Sequence, residues 1–180
     1  MENKPKKKNH YVNKKTLYEE MVKFRDKTNL AKEAGRPLPQ IPRYVGECFL
    51  MICNKLSTKP NFMGYSYRDD MIADAIENCV IAAHSFDPDK SSNPFAYFTQ
   101  IAWNAFIRRI QKEKKQTYIK HKNYENTIMS NEQWSDNENI YLKANEYSAE
   151  IVRSFEDKNN KLTKVKPKVK MVGVEKFSEE

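Results

Sequence analysis

The chain has 180 residues, enough for one modest core with tails. It carries 32 Lys+Arg against 24 Asp+Glu, a formal net charge of +8, and a balance of that sign favours a polyanionic partner such as nucleic acid. Only 4 glycines occur and no Gly-rich phosphate loop is formed, which argues against a nucleotide-hydrolysing enzyme. Cys48, Cys53 and Cys79 are an odd number with no CxxC pair, so neither a disulfide frame nor a zinc site is expected. Scattered His10, His84 and His121 supply no metal motif, and a reducing cytoplasm fits best. The basic run from Lys4 to Lys8 is followed by no apolar stretch, and no apolar run is long enough to cross a bilayer. No signal peptide, membrane span, metal or cofactor is therefore expected.

In chain order, residues 1–13 read as a flexible basic arm. Leu17, Met21 and Phe24 then recur at helical spacing, predicting a helix from Lys14 to about Ala34 that the Gly35–Pro42 segment ends. Val45, Phe49, Ile52 and Leu56 predict a second helix over Tyr44–Leu56. A third is expected from Ser66, where Ser66-Tyr67-Arg68-Asp69 has the form of a capping box, to the stop at Phe86-Asp87-Pro88. Asn93-Pro94 is a start signal for a fourth helix reaching Lys115 or beyond, because Asn caps well and Pro suits the first helical position. Residues 118–156 form a partly helical extension, with apolar residues at roughly helical spacing between Ile140 and Phe155. Residues 157–170 read as a flexible Lys-rich linker, and 171–180 as an apolar and acidic tail. No repeat and no convincing strand occurs, so the class is all-α, with residues 14–117 as the compact helical domain.

Two helices carry different surfaces. On the third, Asp70, Asp74, Glu77, Asn78 and Ile81 share one stripe, readable either as a solvated face or as a dock for a basic partner. On the fourth, Tyr97, Gln100, Asn104, Arg108, Gln111 and Lys115 share a stripe of types that stack on bases, bond base edges or grip phosphates. Arg109, Lys112 and Lys114 add charge towards its C-terminal half, where cations also suit the helix dipole. Phe95, Phe98, Trp103 and Phe106 make this helix aromatic. Phe98 and Phe106 fit a core better than a base-stacking face, and Tyr97 and Trp103 suit either. Aromatics beside a basic stripe match single-stranded or melted DNA better than a duplex clamp.

The run Asp70-Met71-Ile72-Ala73-Asp74, followed by Ala82-Ala83-His84-Ser85-Phe86-Asp87-Pro88, resembles the second conserved region of bacterial sigma factors of the sigma-70 family. Phe95-Ala96-Tyr97-Phe98-Thr99-Gln100-Ile101-Ala102-Trp103-Asn104 and the residues up to Ile110 are similar to that region's promoter-melting helix. A closer likeness is to the late-transcription sigma factors of T-even-type bacteriophages. It is carried by Tyr11-Val12-Asn13, Asn61-Phe62, Gly64-Tyr65, Met71-Ile72-Ala73-Asp74, Asn93-Pro94 and the run through Lys112-Glu113, about two-thirds of the chain.

The resemblance implies a non-enzymatic sigma factor without catalytic residues. Such a protein binds the coiled coil on the largest subunit of the host RNA polymerase core and directs the enzyme to an A/T-rich −10 element of phage late promoters. By position it matches Asp70 and Asp74 to the core-binding acids, and the rest of their stripe, Glu77, Asn78 and Ile81, joins them in the expected core-binding set. By position it matches Phe95 and Phe98 to aromatics of −10 recognition and melting and sets Asn104 and Arg108 towards the upstream part of that element. The neighbouring Tyr97, Gln100, Trp103, Arg109 and Lys112 of the same helix complete the expected DNA-binding set. It also implies that Val172, Val174 and Phe177 in the tail meet a DNA sliding clamp, that a phage co-activator takes part, and that the protein works in the cytoplasm of the infected bacterium. The sequence departs from the pattern in places. Ile101-Ala102 stand where the bacterial family has an adjacent Trp pair, Trp103 lies one position later, and Ile76 replaces a polar core-contacting residue. A non-enzymatic architectural or single-stranded DNA-binding protein is the alternative, and it leaves the acidic stripe unexplained. A nuclease using Asp69, Asp70, Asp74, Asp87 and Asp89 is a weaker third reading.

Overall fold

The computed structural model describes residues 11–130 and 138–164, and all regular structure within them is helical. The elements are α1 (Lys14–Glu33), α2 (Arg43–Ser57), α3 (Arg68–Ala83), α4 (Pro94–Ser130) and α5 (Glu138–Lys164). The chain is thus all-α, as its periodicity predicts.

Local chemistry sets most of the boundaries. Asn13 caps α1, its side chain accepting from the backbone N–H groups of Lys15 and Thr16 at 3.1 and 3.3 Å. At the other end Gly35 takes φ +61°, and Arg36 N–H returns to the Ala31 carbonyl at 2.9 Å, closing the helix with a glycine in the left-handed region. Asn93 caps α4 as expected, accepting from Ala96 N–H at 3.1 Å, with Pro94 as the first helical residue.

The predicted capping box at α3 does not form. The helix begins at Arg68, its N-cap Tyr67 makes no side-chain cap bond, and Asp69 and Asp70 in the first turn complement the dipole instead. Arg68 ties this start to the end of α2, donating from Nε and Nη2 to Ser57 Oγ at 3.1 and 2.9 Å.

The chain divides into two compact units, the first ending at Lys112 and the second beginning at Glu113. In the first, α1, α2, α3 and the N-terminal part of α4 enclose a phenylalanine-rich core. Phe24, Phe49, Phe62, Phe86, Phe98 and Phe106 are all fully buried, together with Leu17, Met21, Ile52 and Met71. The rings pack edge-on or tilted, as quadrupolar rings prefer, with Phe49 and Phe98 at 4.5 Å and Phe62 and Phe106 at 4.9 Å between centroids. Arg25 of α1 donates to the Phe86 carbonyl at 2.9 Å and fastens the turn after α3. The three cysteines are fully buried in this core, and Cys79 Sγ lies 3.7 Å from the Phe98 carbonyl as a weak donor.

The end of the basic arm belongs to this unit. Val12 is buried and Asn13 is the α1 cap, so the flexible arm expected over 1–13 is corrected for residues 11–13 by apolar burial and capping. Residues 1–10 lie outside the described part.

The second unit contains the rest of α4 and α5. Tyr118 and Phe155 stack with centroids 4.6 Å apart, and Tyr118 Oη donates to Glu156 at 3.0 Å. His121 Nδ1 and Ser148 Oγ share a hydrogen bond of 3.0 Å, and Ser148 and Val152 are buried. The partly helical extension is therefore a pair of long helical segments. The linker expected from residue 157 is helical as far as Lys164, and residues 165–170 of it lie outside the described part. Lysine and asparagine do not forbid a helix, so the polar end of α5 continues the one that its packed face begins.

Candidate nucleic-acid interface

The acidic stripe on α3 follows from helical spacing alone: Met71, Ala75 and Cys79 fall on the buried face, which turns Asp70, Asp74, Glu77, Asn78 and Ile81 the other way. Glu77 is exposed and Ile81 keeps 64% of its surface in solvent. Val80, 39% exposed beside it, enlarges the apolar spot, and sequence reasoning missed it because a lone valine on a helix reads as core.

On α4 the polar stripe is likewise presented by burial of the opposite face, where Phe98, Ala102, Ala105 and Phe106 sit in the core. Gln100, Asn104 and Arg108 are exposed one turn apart, and Gln100 Nε2 donates to Asn104 Oδ1 at 3.0 Å. An amide held by its neighbour keeps further donors and acceptors for a base edge, since each side-chain amide has both. Lys112 is exposed at the following turn.

The two stripes share an edge. Arg109 donates from Nη2 to Asp70 at 2.9 Å and from Nη1 to Asp74 at 3.2 Å. Its side chain is only 18% exposed, against 58% for Asp70 and 37% for Asp74. Arg108 donates to Asn78 Oδ1 at 2.6 Å, and Asn78 Nδ2 donates to the Asp74 carbonyl at 2.6 Å. The sequence reading set Arg109 among DNA-gripping cations and both aspartates on a separate dock, yet the guanidinium is engaged by those carboxylates. The same pairing gives Asp70 and Asp74 a structural role that the nuclease reading did not foresee.

The aromatic residues divide sharply. Phe98 is fully buried against Phe49, Phe86 and Tyr97, so its assignment to a DNA face is corrected: it has no surface to offer. Tyr97 is half-buried, its ring edge-on to Phe86 at 5.2 Å. Phe95 is half-buried, with Tyr11 edge-on at 5.8 Å and Lys14 Nζ 5.2 Å from its centroid. Trp103 is half-buried, edge-on to Phe62 at 4.7 Å, with Lys59 Nζ at 5.6 Å. Tyr11, Lys14 and Lys59 lie too far away in sequence for spacing to have linked them to this helix. The shell around Tyr11 raises its phenol above the ordinary value, chiefly by burial.

Val172, Val174 and Phe177 lie outside the described residues. No helix among the described residues is long and apolar enough to cross a membrane.

Residues 61–116 match the family model described as Sigma-70 region 2. The matched stretch takes in the turn before α3, α3 itself and the α4 stripe. No curated protein matches the chain.

Proposed function

We propose that the protein is a sigma factor that binds the core of bacterial RNA polymerase and directs it to phage late promoters through a short A/T-rich −10 element. The observation that carries this reading is the region 2 match, which spans both the acidic α3 stripe and the aromatic, basic α4 stripe. In this reading Asp70, Asp74, Glu77, Asn78 and Ile81 form the dock for the coiled coil of the largest polymerase subunit. A basic partner gains from the carboxylates, and Ile81 with Val80 supplies the apolar contact. Gln100, Asn104, Arg108 and Lys112 face the promoter, with the exposed parts of Phe95, Tyr97 and Trp103 as stacking edges for melted bases. Chemistry belongs to the polymerase. The 171–180 tail, with Val172, Val174 and Phe177, is assigned to a DNA sliding clamp, and a phage co-activator completes the assembly in the infected cell's cytoplasm.

The test is run-off transcription by bacterial core polymerase on a supercoiled template bearing a TATAAATA-like element. Initiation at that element only when the protein is added is the expected result. No initiation, with no co-migration of protein and core, refutes the reading and favours a plain DNA-binding protein. For the dock, Glu77→Lys with Ile81→Asp is the cleaner variant. Reversing Asp70 and Asp74 would also unseat Arg109 and confuse lost binding with lost stability.

A further inference from the structure

Two lysines outside the α4 stripe sit against its aromatics. Lys14 Nζ lies 5.2 Å from the Phe95 centroid, and Lys59 Nζ lies 5.6 Å from that of Trp103. Both distances are within the reach of a cation–π contact. Both side chains are exposed, and they come from different elements, Lys14 from the first position of α1 and Lys59 from the turn after α2. Lys14 stands where the α1 dipole disfavours a cation, in a first turn with no acid to offset it, so local helix energetics do not account for its charge.

An ammonium carries three N–H donors, and a ring face can receive only those that point at it. Each ring thus holds a flexible lysine beside α4, Lys59 on the flank of the polar stripe at Trp103 and Lys14 at the start of the helix at Phe95, while leaving donors for an oxyanion. We infer that Lys14 and Lys59 are phosphate contacts of a nucleic-acid surface that extends beyond α4, each positioned by the aromatic residue beneath it. The inference rests on the proposal that α4 meets DNA. It adds a sequence-independent component to that proposal, since phosphate contacts set register and affinity rather than base choice. It also gives Trp103 a part other than that of a stacking edge: it orients the cation that holds the strand.

The test measures binding of the full-length chain to a forked A/T-rich oligonucleotide by fluorescence anisotropy, from about 50 to about 200 mM salt. Lys14→Met and Lys59→Met keep the apolar stem over the ring and remove the charge, and Arg at either position restores the charge. Each Met variant is expected to lower the slope of log affinity against log salt by about 0.7, the single-strand value per phosphate contact. In the double variant the salt-induced loss over that range should be about sevenfold smaller than in the parent. Relative affinity for different sequences should not change, and Arg should restore the slope. Thermal melting checks that the variants fold. An unchanged slope, tighter binding by the Met variants, or no salt-dependent binding by the parent overturns the inference. Run-off transcription judges the sigma reading separately: a lowered slope with no core-dependent initiation leaves the lysine contacts standing and removes the sigma function.

Discussion

Arg109→Ala removes a guanidinium that is largely out of solvent and held by two carboxylates of unequal exposure. Asp70 is the more exposed partner, so its bond is worth at most about 1 kcal/mol, as for other surface pairs. Both bonds are charge-assisted, and the lesser exposure of Asp74 puts its bond nearer about 1–2 kcal/mol. Lost packing of the arginine stem brings the expected destabilisation to about 2–3 kcal/mol, or a fall in melting temperature of about 4–12 °C for a chain of this size. Arg109→Lys should recover only part of this, because one ammonium cannot span both carboxylates as the planar fork does. The assay is urea unfolding followed by far-UV circular dichroism, in double-mutant cycles of Arg109→Ala with Asp70→Ala and with Asp74→Ala. Coupling should be larger for Asp74 than for Asp70, and salt should erode the Asp70 component more. Equal couplings, or a larger one at Asp70, would refute the ranking by exposure. A loss below about 0.5 kcal/mol would refute the view that this arginine is structural.

Two further outcomes follow from titrating groups. The hydrogen bond to Glu156 holds the Tyr118 phenol above its ordinary value, so the fold favours the protonated form. That stability is fully present below the usual tyrosine pKa of about 10 and is lost as pH rises through the raised folded value. Tyr118→Phe should therefore flatten the alkaline decline of the melting temperature, and an identical decline in both proteins would contradict this. The thiol of Cys79 is raised by its hydrogen bond with Cys53 and by burial, and that of Cys48 chiefly by burial. With all three cysteines fully buried, a disulfide reagent near neutral pH should react slowly until urea opens the chain, whereas one rapid equivalent in the native protein would be inconsistent with this packing.

What the sequence discloses is mainly what local spacing controls. Leu17, Met21 and Phe24 are buried on α1 as their periodicity predicts, and Asn93-Pro94 starts α4. The failed capping box at Ser66 shows the limit of a short motif, since Arg68 reaching back to Ser57 is a tertiary contact with no local signature. The length of α4 and the polar end of α5 were legible only in part, because their stability comes from pairs such as Tyr118 with Phe155 that join distant positions. The stripes were legible as separate patterns. That Arg109 joins them could not be read, because the partners lie 35 and 39 residues away and a helical wheel shows one helix at a time. Phe98 illustrates the converse: a motif assigns a role to a position, but only packing reveals whether the ring has any surface left.

The shared edge between α3 and α4 also bears on how this protein can be re-engineered. Asp70, Asp74 and Asn78 on one helix and Arg108 and Arg109 on the other form a matched set, so neither helix is an independent cassette. A chimaera that imported a foreign α3 with different polar spacing would strand a mostly buried guanidinium. One that imported a foreign α4 would leave two neighbouring carboxylates without their counter-charge. Swaps meant to exchange one surface must therefore carry the facing positions of the other, and libraries that randomise either stripe alone will recover stability mutants before they recover altered recognition.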